Sequence, residues 1–379
     1  MRAMNRPRWK AHCLAALAAL PFLAAQAQTG SAGTADSSSA GNEPPPAAAE
    51  DSAEGKQARS PWLLVPLISS NPKLGTSLGG MAGYVTKFDE KSEPSLMVVQ
   101  AQGSNTSSRT VSVGGKFYWN ENHDRIVVGA VGGKVTNDYL DFLGSGQEVR
   151  SDENLHAYFM RYQHEVFPHW FMGVQGLYSN YGVDGTDPTS EQALDQAGLA
   201  GVVSSGLGLI VTYDTRNNTN NPTSGMVAQL HNLAFRDGLG SDVDFDVQTA
   251  QLQWYYPTSE NNTVVVHAKS RWTQDAPESK ESTVELRGYT RGQYLGRNGL
   301  TLEAENRYMF KPRWGAKAFA GVACLYGNGQ SCGGDNVYPM VGGGVFYVIK
   351  PESNMVVSAE FAKGDGDNRG FYLNFGHRF

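Results

Sequence analysis

Strand-like segments recur along this chain, and the connections between them alternate in length. Residues 111–119 ("VSVGGKFYW"), 155–163 ("LHAYFMRYQ"), 225–235 ("GMVAQLHNLAF") and 301–310 ("TLEAENRYMF") each alternate residue by residue, the period of a β-strand. In the last, Leu302, Ala304, Tyr308 and Phe310 share one face and Glu303, Glu305 and Arg307 the other. Sixteen such segments centre near residues 64, 81, 99, 114, 129, 159, 175, 208, 230, 250, 268, 305, 320, 345, 358 and 375. Long connections (136–151, 182–198, 274–298 and 327–337) follow segments 5, 7, 11 and 13. Short turns such as "DEKSEP", "NENHD", "PTSENN", "KPR" and "KPES" follow even-numbered ones. A sandwich has no reason to sort its loops by parity. A membrane barrel has one: short turns at one rim, long loops at the other. The expected fold is all-β, an antiparallel transmembrane barrel of sixteen strands, with both termini at the short-turn, periplasmic rim.

The ends of the chain agree. Arg2, Arg6, Arg8 and Lys10 precede the apolar stretch 13–25, and Ala25-Gln26-Ala27 reads as a cleavage site, so 1–27 is expected to be a secretory signal peptide. Residues 28–60 are a low-complexity Ala/Ser/Gly/Pro/Glu linker with too few apolar residues to bury a core. The barrel is expected over 61–379. That region holds no apolar run long enough for a transmembrane helix. Cleavage would leave 27 of the 31 Lys and Arg against 37 Asp and Glu, about −10 in net charge, which argues against a nucleic-acid partner. The terminal "GFYLNFGHRF" puts Phe371, Leu373, Phe375 and Phe379 on one strand face, similar to the C-terminal signal of bacterial outer-membrane proteins. His377 stands where that signal usually has an apolar residue.

Two motifs carry a more specific resemblance. "YDTRNNTNNPTSG" contains Tyr213, Asp214, Arg216, Pro222 and Gly225 at the turn between strands 8 and 9. "LRGYTRGQY" lies in the long loop between strands 11 and 12 and is followed by "LEAENRY". Together, in this order and two strands apart, they resemble the Omp85 superfamily, the barrel-assembly and two-partner-secretion translocases, with BamA- and TamA-like barrels and bacterial surface antigens among them. The resemblance covers the whole folded part. It implies that the sixth extracellular loop folds back into the lumen, its Arg287-Gly288-Tyr289 tip packed on the inner wall. An arginine is tolerated there only if its five donors find partners. Glycine would let the backbone approach the wall, and a tyrosine could pack there with its hydroxyl bonded.

The chain departs from the family pattern in two ways. The periplasmic POTRA domains are replaced by the linker alone, so a short member without them is expected. Strand 13, where the family usually places an aspartate for the loop arginine, has no acidic residue between 314 and 331. The partners expected for Arg287 are therefore Glu303 and Glu305 on strand 12 and Glu360 on strand 15, inward-facing by alternation.

Other features are weaker. "GTSLG" (75–79) matches a nucleophile elbow around Ser77, but strand follows where a helix is needed. Asp242, Asp244 and Asp246 alternate without the glycine or closing glutamate of a calcium loop and read as solvated lumen carboxylates. No metal or other cofactor and no enzymatic activity is expected. "VDFDVQTAQLQWYY" (243–256) changes phase near Thr249, the position expected for a bulge. Cys324 and Cys332, eight apart in a secreted chain, are expected to form a disulfide in loop 7. Pro61 and Pro66 in the first strand, and Gly370 and Gly376 in the last, weaken the join between them. Two functions stay open: an assembly or translocation factor for protein or lipid, or a passive pore or surface antigen with a plugged lumen. The expected partners are outer-membrane lipid, the barrel-assembly machinery during biogenesis, and a client protein or lipid.

Overall fold

The computed structural model describes residues 60–71, 75–139, 149–196, 201–289, 294–366 and 368–378. The expected signal peptide, nearly all of the expected linker, and Phe379 lie outside them. Sixteen antiparallel strands form the barrel: β1 (Trp62–Asn71), β2 (Gly75–Thr86), β3 (Ser95–Ser104), β4 (Arg109–Trp119), β5 (Asp124–Tyr139), β6 (Val149–Phe167), β7 (Trp170–Gly185) and β8 (Ser204–Asp214). The second half is β9 (Gly225–Phe235), β10 (Phe245–Ser259), β11 (Asn262–Gln274), β12 (Asn298–Met309), β13 (Trp314–Tyr326), β14 (Val337–Lys350), β15 (Met355–Gly364) and β16 (Arg369–Phe375). Each strand pairs with its sequence neighbours, and β1 closes on β16. All sixteen expected centres fall inside these strands. β5, β6 and β7 run further into the long-loop rim than their sequence suggests. A helix, α1 (Pro188–Gln196), sits in the loop after β7, its first amides (Thr189 and Ser190) donating to the Asp187 carboxylate at 3.0 Å each.

The polarity of the wall is inverted relative to a water-soluble protein. On β12, Leu300, Leu302 and Tyr308 are exposed outward while Glu303, Glu305 and Arg307 are buried inward. Elsewhere Val99, Val113, Met172, Val174, Leu209, Leu230, Val341 and Phe361 face out. Aromatic pairs gather toward the short-turn rim: Trp62–Tyr84, Trp170–Tyr213, Trp254–Tyr256 and Trp314–Tyr347, with ring centroids 4.8–5.6 Å apart. An apolar band with an aromatic girdle is what a barrel needs where hydrocarbon replaces water.

This inversion corrects the bulge expected at Thr249. The β10 register is continuous through Thr249↔Arg271 and breaks only between Pro257 and Ser259. Phe245, Val247, Thr249, Gln251, Gln253 and Tyr255 all face inward. Toward the long-loop rim the apolar side chains, Phe245 and Val247, point in; lower down, Leu252 and Trp254 point out. The phase of polarity changes while the strand stays regular. The three aspartates are also corrected. Asp246 lies on the face of β10 opposite Phe245 and pairs with Arg236 at 2.8 Å, and Asp244, just before the strand, accepts the Asp237 amide at 2.7 Å. Asp242 accepts the Val203 amide at 2.7 Å. No cluster of His, Cys, Asp or Glu suited to a metal occurs among the described residues. Ser77 lies within continuous β2, with no strand-to-helix elbow.

The join between β1 and β16 is the weak one. Among the described residues it carries two registered pairs, Ser69↔Tyr372 and Ser70↔Phe371. Every other join carries at least seven. Below those two pairs, side-chain packing replaces the ladder: Phe375 lies against a cluster of Leu63, Val65, Met81, Leu96, Val98 and Met355. Phe371 stays exposed, so the C-terminal aromatics do not share one environment.

Candidate functional site: the lumen arginine and the seam

Loop 6, the connection from β11 to β12, enters the barrel. A two-residue ladder, Ser282↔Gly296 and Thr283↔Leu295, forms its neck. Beyond the neck, Val284, Leu286 and Tyr289 are buried with Phe319, Ala323, Leu325, Met340 and Ala362 of the wall. This apolar contact fixes the loop's depth and delivers Arg287 to the lumen acids.

The Arg287 guanidinium is 2 % exposed. Its Nε and Nη2 donate to Glu303 Oε2 at 3.2 and 3.0 Å. Its Nη1 donates to Glu305 Oε2 at 2.7 Å and Glu360 Oε2 at 3.0 Å. The Phe319 ring covers its face, 3.3 Å from Cζ to the centroid. The structure thus brings together Arg287 and all three glutamates named from sequence. Two further cations complete the cluster: Arg307 donates to Glu305 Oε1 at 2.7 Å, and the Lys317 ammonium donates to Glu360 Oε1. Three cations therefore face three carboxylates in a buried site. Such a cluster is held by mutual compensation and is costly to break at one member.

Gly288 and Tyr289 tie the tip to neighbouring strands. Gly288 has φ +89°, and a side chain there would meet the Ala362 carbonyl oxygen and the Gly364 nitrogen at 3.3 Å. Its amide donates to the Tyr372 hydroxyl at 3.0 Å. Tyr372 is the β16 residue that pairs with Ser69, so the tip bonds directly to the seam strand. The Tyr289 hydroxyl donates to the Pro339 carbonyl at 2.7 Å and accepts the Asp365 amide at 2.8 Å. Its ring lies over Gly364, where an added Cβ would be 2.3 Å away.

The other motif closes the barrel lower down. Arg216, fully buried, chelates Asp214 through Nε at 2.9 Å and Nη2 at 2.7 Å. That pair folds the 215–224 turn across the short-turn end. Pro222 is buried in it, Gly225 opens β9, and Tyr213 joins the outer girdle against Trp170. Asn220 accepts from Lys116 of β4 at 3.2 Å and donates to the Ser353 carbonyl, between β14 and β15, at 2.8 Å. The turn therefore reaches both sides of the barrel. Asn221 meets His377 Nε2 at 3.0 Å, and His377 Nδ1 lies 3.2 Å from Lys317 Nζ. Gly376, at φ +86°, turns the chain end inward, and Ser358 donates to its carbonyl oxygen at 3.1 Å. His377, the odd residue of the C-terminal signal, links the chain end to the arginine cluster and to the turn.

Sequence reasoning missed Arg307, Lys317, Phe319, Tyr372, Asn220, Asn221 and His377 as parts of this network. Inward parity on β13 could have marked Lys317 and Phe319, both on its buried face. The asparagines carry no such signal. Cys324 and Cys332 are bonded, with Cα atoms 5.5 Å apart, at the long-loop end of β13.

Fold and site together define an outer-membrane-type β-barrel with an in-folded loop and a weak closing seam. The Omp85 superfamily domain matches residues 105–329, more than half of the chain, and the chain belongs to that superfamily. BamA from Haemophilus ducreyi, solved without POTRA domains 1–3, is similar over 84 % of this chain and 70 % of its own, with 12 % identity and a TM-score of 0.52. CdiB from Acinetobacter baumannii is similar over 83 % of this chain with 12 % identity and a TM-score of 0.57. CdiB from Escherichia coli gives 83 %, 12 % and 0.56. The matches span only 59 % and 62 % of the two CdiB chains. No curated protein matches the sequence.

Proposed function

We propose that this barrel assists insertion or translocation of protein or lipid at the outer membrane, that the β1–β16 seam is the part that opens, and that the Arg287 cluster latches it. The observation that carries the reading is the two-pair seam, with Tyr372 of that seam bonded to the loop-6 tip. An edge with few ladder bonds is the place where a strand or an acyl chain can enter a sheet at least cost. The start of β1, the end of β16 and the short turns share one rim, which we assign to the periplasm. The working partners in this reading are outer-membrane lipid, the assembly machinery that inserts the barrel itself, and a client protein or lipid. No catalytic chemistry is assigned.

The test pairs Ser70→Cys with Phe371→Cys, positions opposite one another in the seam. Facing Cα atoms of an antiparallel pair lie within disulfide range. Vesicles containing the protein should accelerate folding of a urea-denatured outer-membrane barrel. Oxidation of the double variant should return the rate to that of empty vesicles, and reductant should restore it, while reductant leaves the wild-type rate unchanged. Equal acceleration by locked and unlocked protein would remove the seam from the reading. The doubly obstructed lumen, by loop 6 and by the 215–224 turn, favours a second reading as a plugged surface antigen or passive pore. Absent acceleration together with stable conductance steps would select it.

A further inference from the structure

The buried cations of the lumen are not treated alike. Arg287, Arg307, Lys317 and Arg216 each bond a carboxylate. Arg161, on the inner face of β6 and 6 % exposed, bonds no carboxylate among the described residues. Its Nε and Nη2 donate to one neutral oxygen, Gln175 Oε1, at 2.9 and 2.6 Å. That oxygen is fixed, because Gln175 Nε2 is held by the Asn232 carbonyl at 2.8 Å and lies 3.1 Å from His231 Nδ1. Gln175 therefore grips one edge of the guanidinium, and Nη1 at the other edge is buried without a partner.

A second buried arginine, Arg125, lies beside Arg161. Arg125 sits on β5 opposite Gln163, and Arg161 sits opposite Val127, so the two arginines are diagonal neighbours on one inner face. Arg125 is also 6 % exposed and stacks on Phe171, its Cζ 3.6 Å from the ring centroid. Its one carboxylate contact is Nη1 to Asp214 at 3.4 Å, and Asp214 is already chelated by Arg216. Arg125 Nε and Nη2 are buried without partners. Among the described residues the two adjacent guanidinium groups thus leave three buried nitrogens unbonded, Arg161 being held by the clamped amide with its Cζ 5.3 Å from the Phe159 centroid, and Arg125 by the Phe171 face. Burying two guanidinium groups side by side with unbonded nitrogens is costly, and an anion between them would offset that cost.

We propose that Arg125 and Arg161 form an oxyanion site in the barrel wall that takes a phosphate group, either as the free ion or on a lipid headgroup. Guanidinium forks bind phosphate oxygens through paired, charge-assisted bonds, and planar donors on two strands suit an anion with several oxygens better than a single-point acceptor.

The test uses the full-length protein purified in a zwitterionic, phosphate-free detergent and its thermal unfolding at constant ionic strength. A ligand that binds only the folded state raises the melting temperature in a saturable way. Inorganic phosphate should do so in the wild type. Arg161→Gln should weaken the apparent affinity by at least about tenfold, as expected for loss of a charged hydrogen-bonding partner. Arg109→Gln, which removes an exposed arginine, should leave the response unchanged. Micelles doped with phosphatidylglycerol form the second arm. A response to inorganic phosphate alone assigns the free ion, and a response to the lipid alone assigns the headgroup. Equal stabilisation by acetate overturns the phosphate assignment. The proposal also fails if the wild type responds to neither probe, or if wild type and Arg161→Gln respond equally. Should Arg161→Gln not fold, Arg161→Lys keeps the charge without the fork, and the wild-type titration decides on its own.

Discussion

Arg287→Ala removes one side chain and leaves three carboxylates facing two cations. Glu303 loses both of its contacts to Arg287; Glu305 keeps Arg307, and Glu360 keeps Lys317 and Ser358. The stranded charges are at most 1 % exposed, so solvent screens little of the loss. Breaking a buried pair at one partner costs about 3–5 kcal/mol. At about 1.4 kcal/mol per tenfold, the undocked population of loop 6 should rise by roughly 10²–10³·⁵. Loss of the contact over Phe319 adds to this by an amount on the order of 1 kcal/mol. Chymotrypsin added outside the membrane reads the change, because Tyr289 and Tyr294 remain as cleavage sites in both proteins. When opening is fast relative to cleavage, the cleavage rate follows the open population, and cleavage between β11 and β12 should rise by about two orders of magnitude or more. Arg287→Lys should fall between, since an ammonium reproduces the charge and not the fork that meets three glutamates. If chymotrypsin cuts Arg287→Ala no faster than wild type, the arginine is not what docks the loop.

Further outcomes follow from the same geometry. Gly321→Asp, which would restore an acid on β13, should destabilise the folded barrel rather than strengthen the lock, because a Cβ there meets Glu303 Cγ at 2.7 Å and Leu286 Cδ2 at 3.0 Å; a higher melting temperature would contradict this. Gly364→Val should displace the Tyr289 ring and raise chymotrypsin access while leaving the barrel heat-modifiable on gels. Cys324 and Cys332 should resist thiol labelling until reduced, and replacing both with serine should cost about 2–3 kcal/mol in the loop-closure account, read from the denaturation midpoint; full labelling without reductant would refute the bond. The wild-type protein should migrate anomalously on gels until boiled, as a closed ladder resists detergent, and identical mobility before and after boiling would count against the barrel.

The architecture was legible because membrane barrels write it twice, in strand alternation and in loop parity. Both are local, and both survived to the sixteen observed strands. The acids around Arg287 were legible for the same reason: period-two parity puts Glu303, Glu305 and Glu360 on the inner face whatever the curvature. What failed was any inference that mixed parity with depth. At Thr249 the strand stays regular while its surroundings pass from hydrocarbon to water, so side-chain polarity reverses face and imitates a bulge. Asp246 was misplaced into the lumen for the same reason. The bonds of Asn220, Asn221 and His377 could not be read at all, since each joins segments more than a hundred residues apart or bonds the chain end. The seam was half legible: Pro66 and Gly376 flagged a weak join, while the replacement of its lower ladder by Phe375 packing depends on where the closed barrel brings β16.

The central claim is that β1–β16 is the labile join and that Arg287 holds it. Backbone amide exchange by mass spectrometry on the reconstituted protein tests both halves at once. β1 below Ser69 and the end of β16 should exchange faster than β6, β10 or β13, whose ladders are complete, and Arg287→Ala should speed exchange at β1 and β16 while leaving those interior strands protected. Protection of β1 and β16 equal to that of the interior strands, unchanged in Arg287→Ala, would contradict the account.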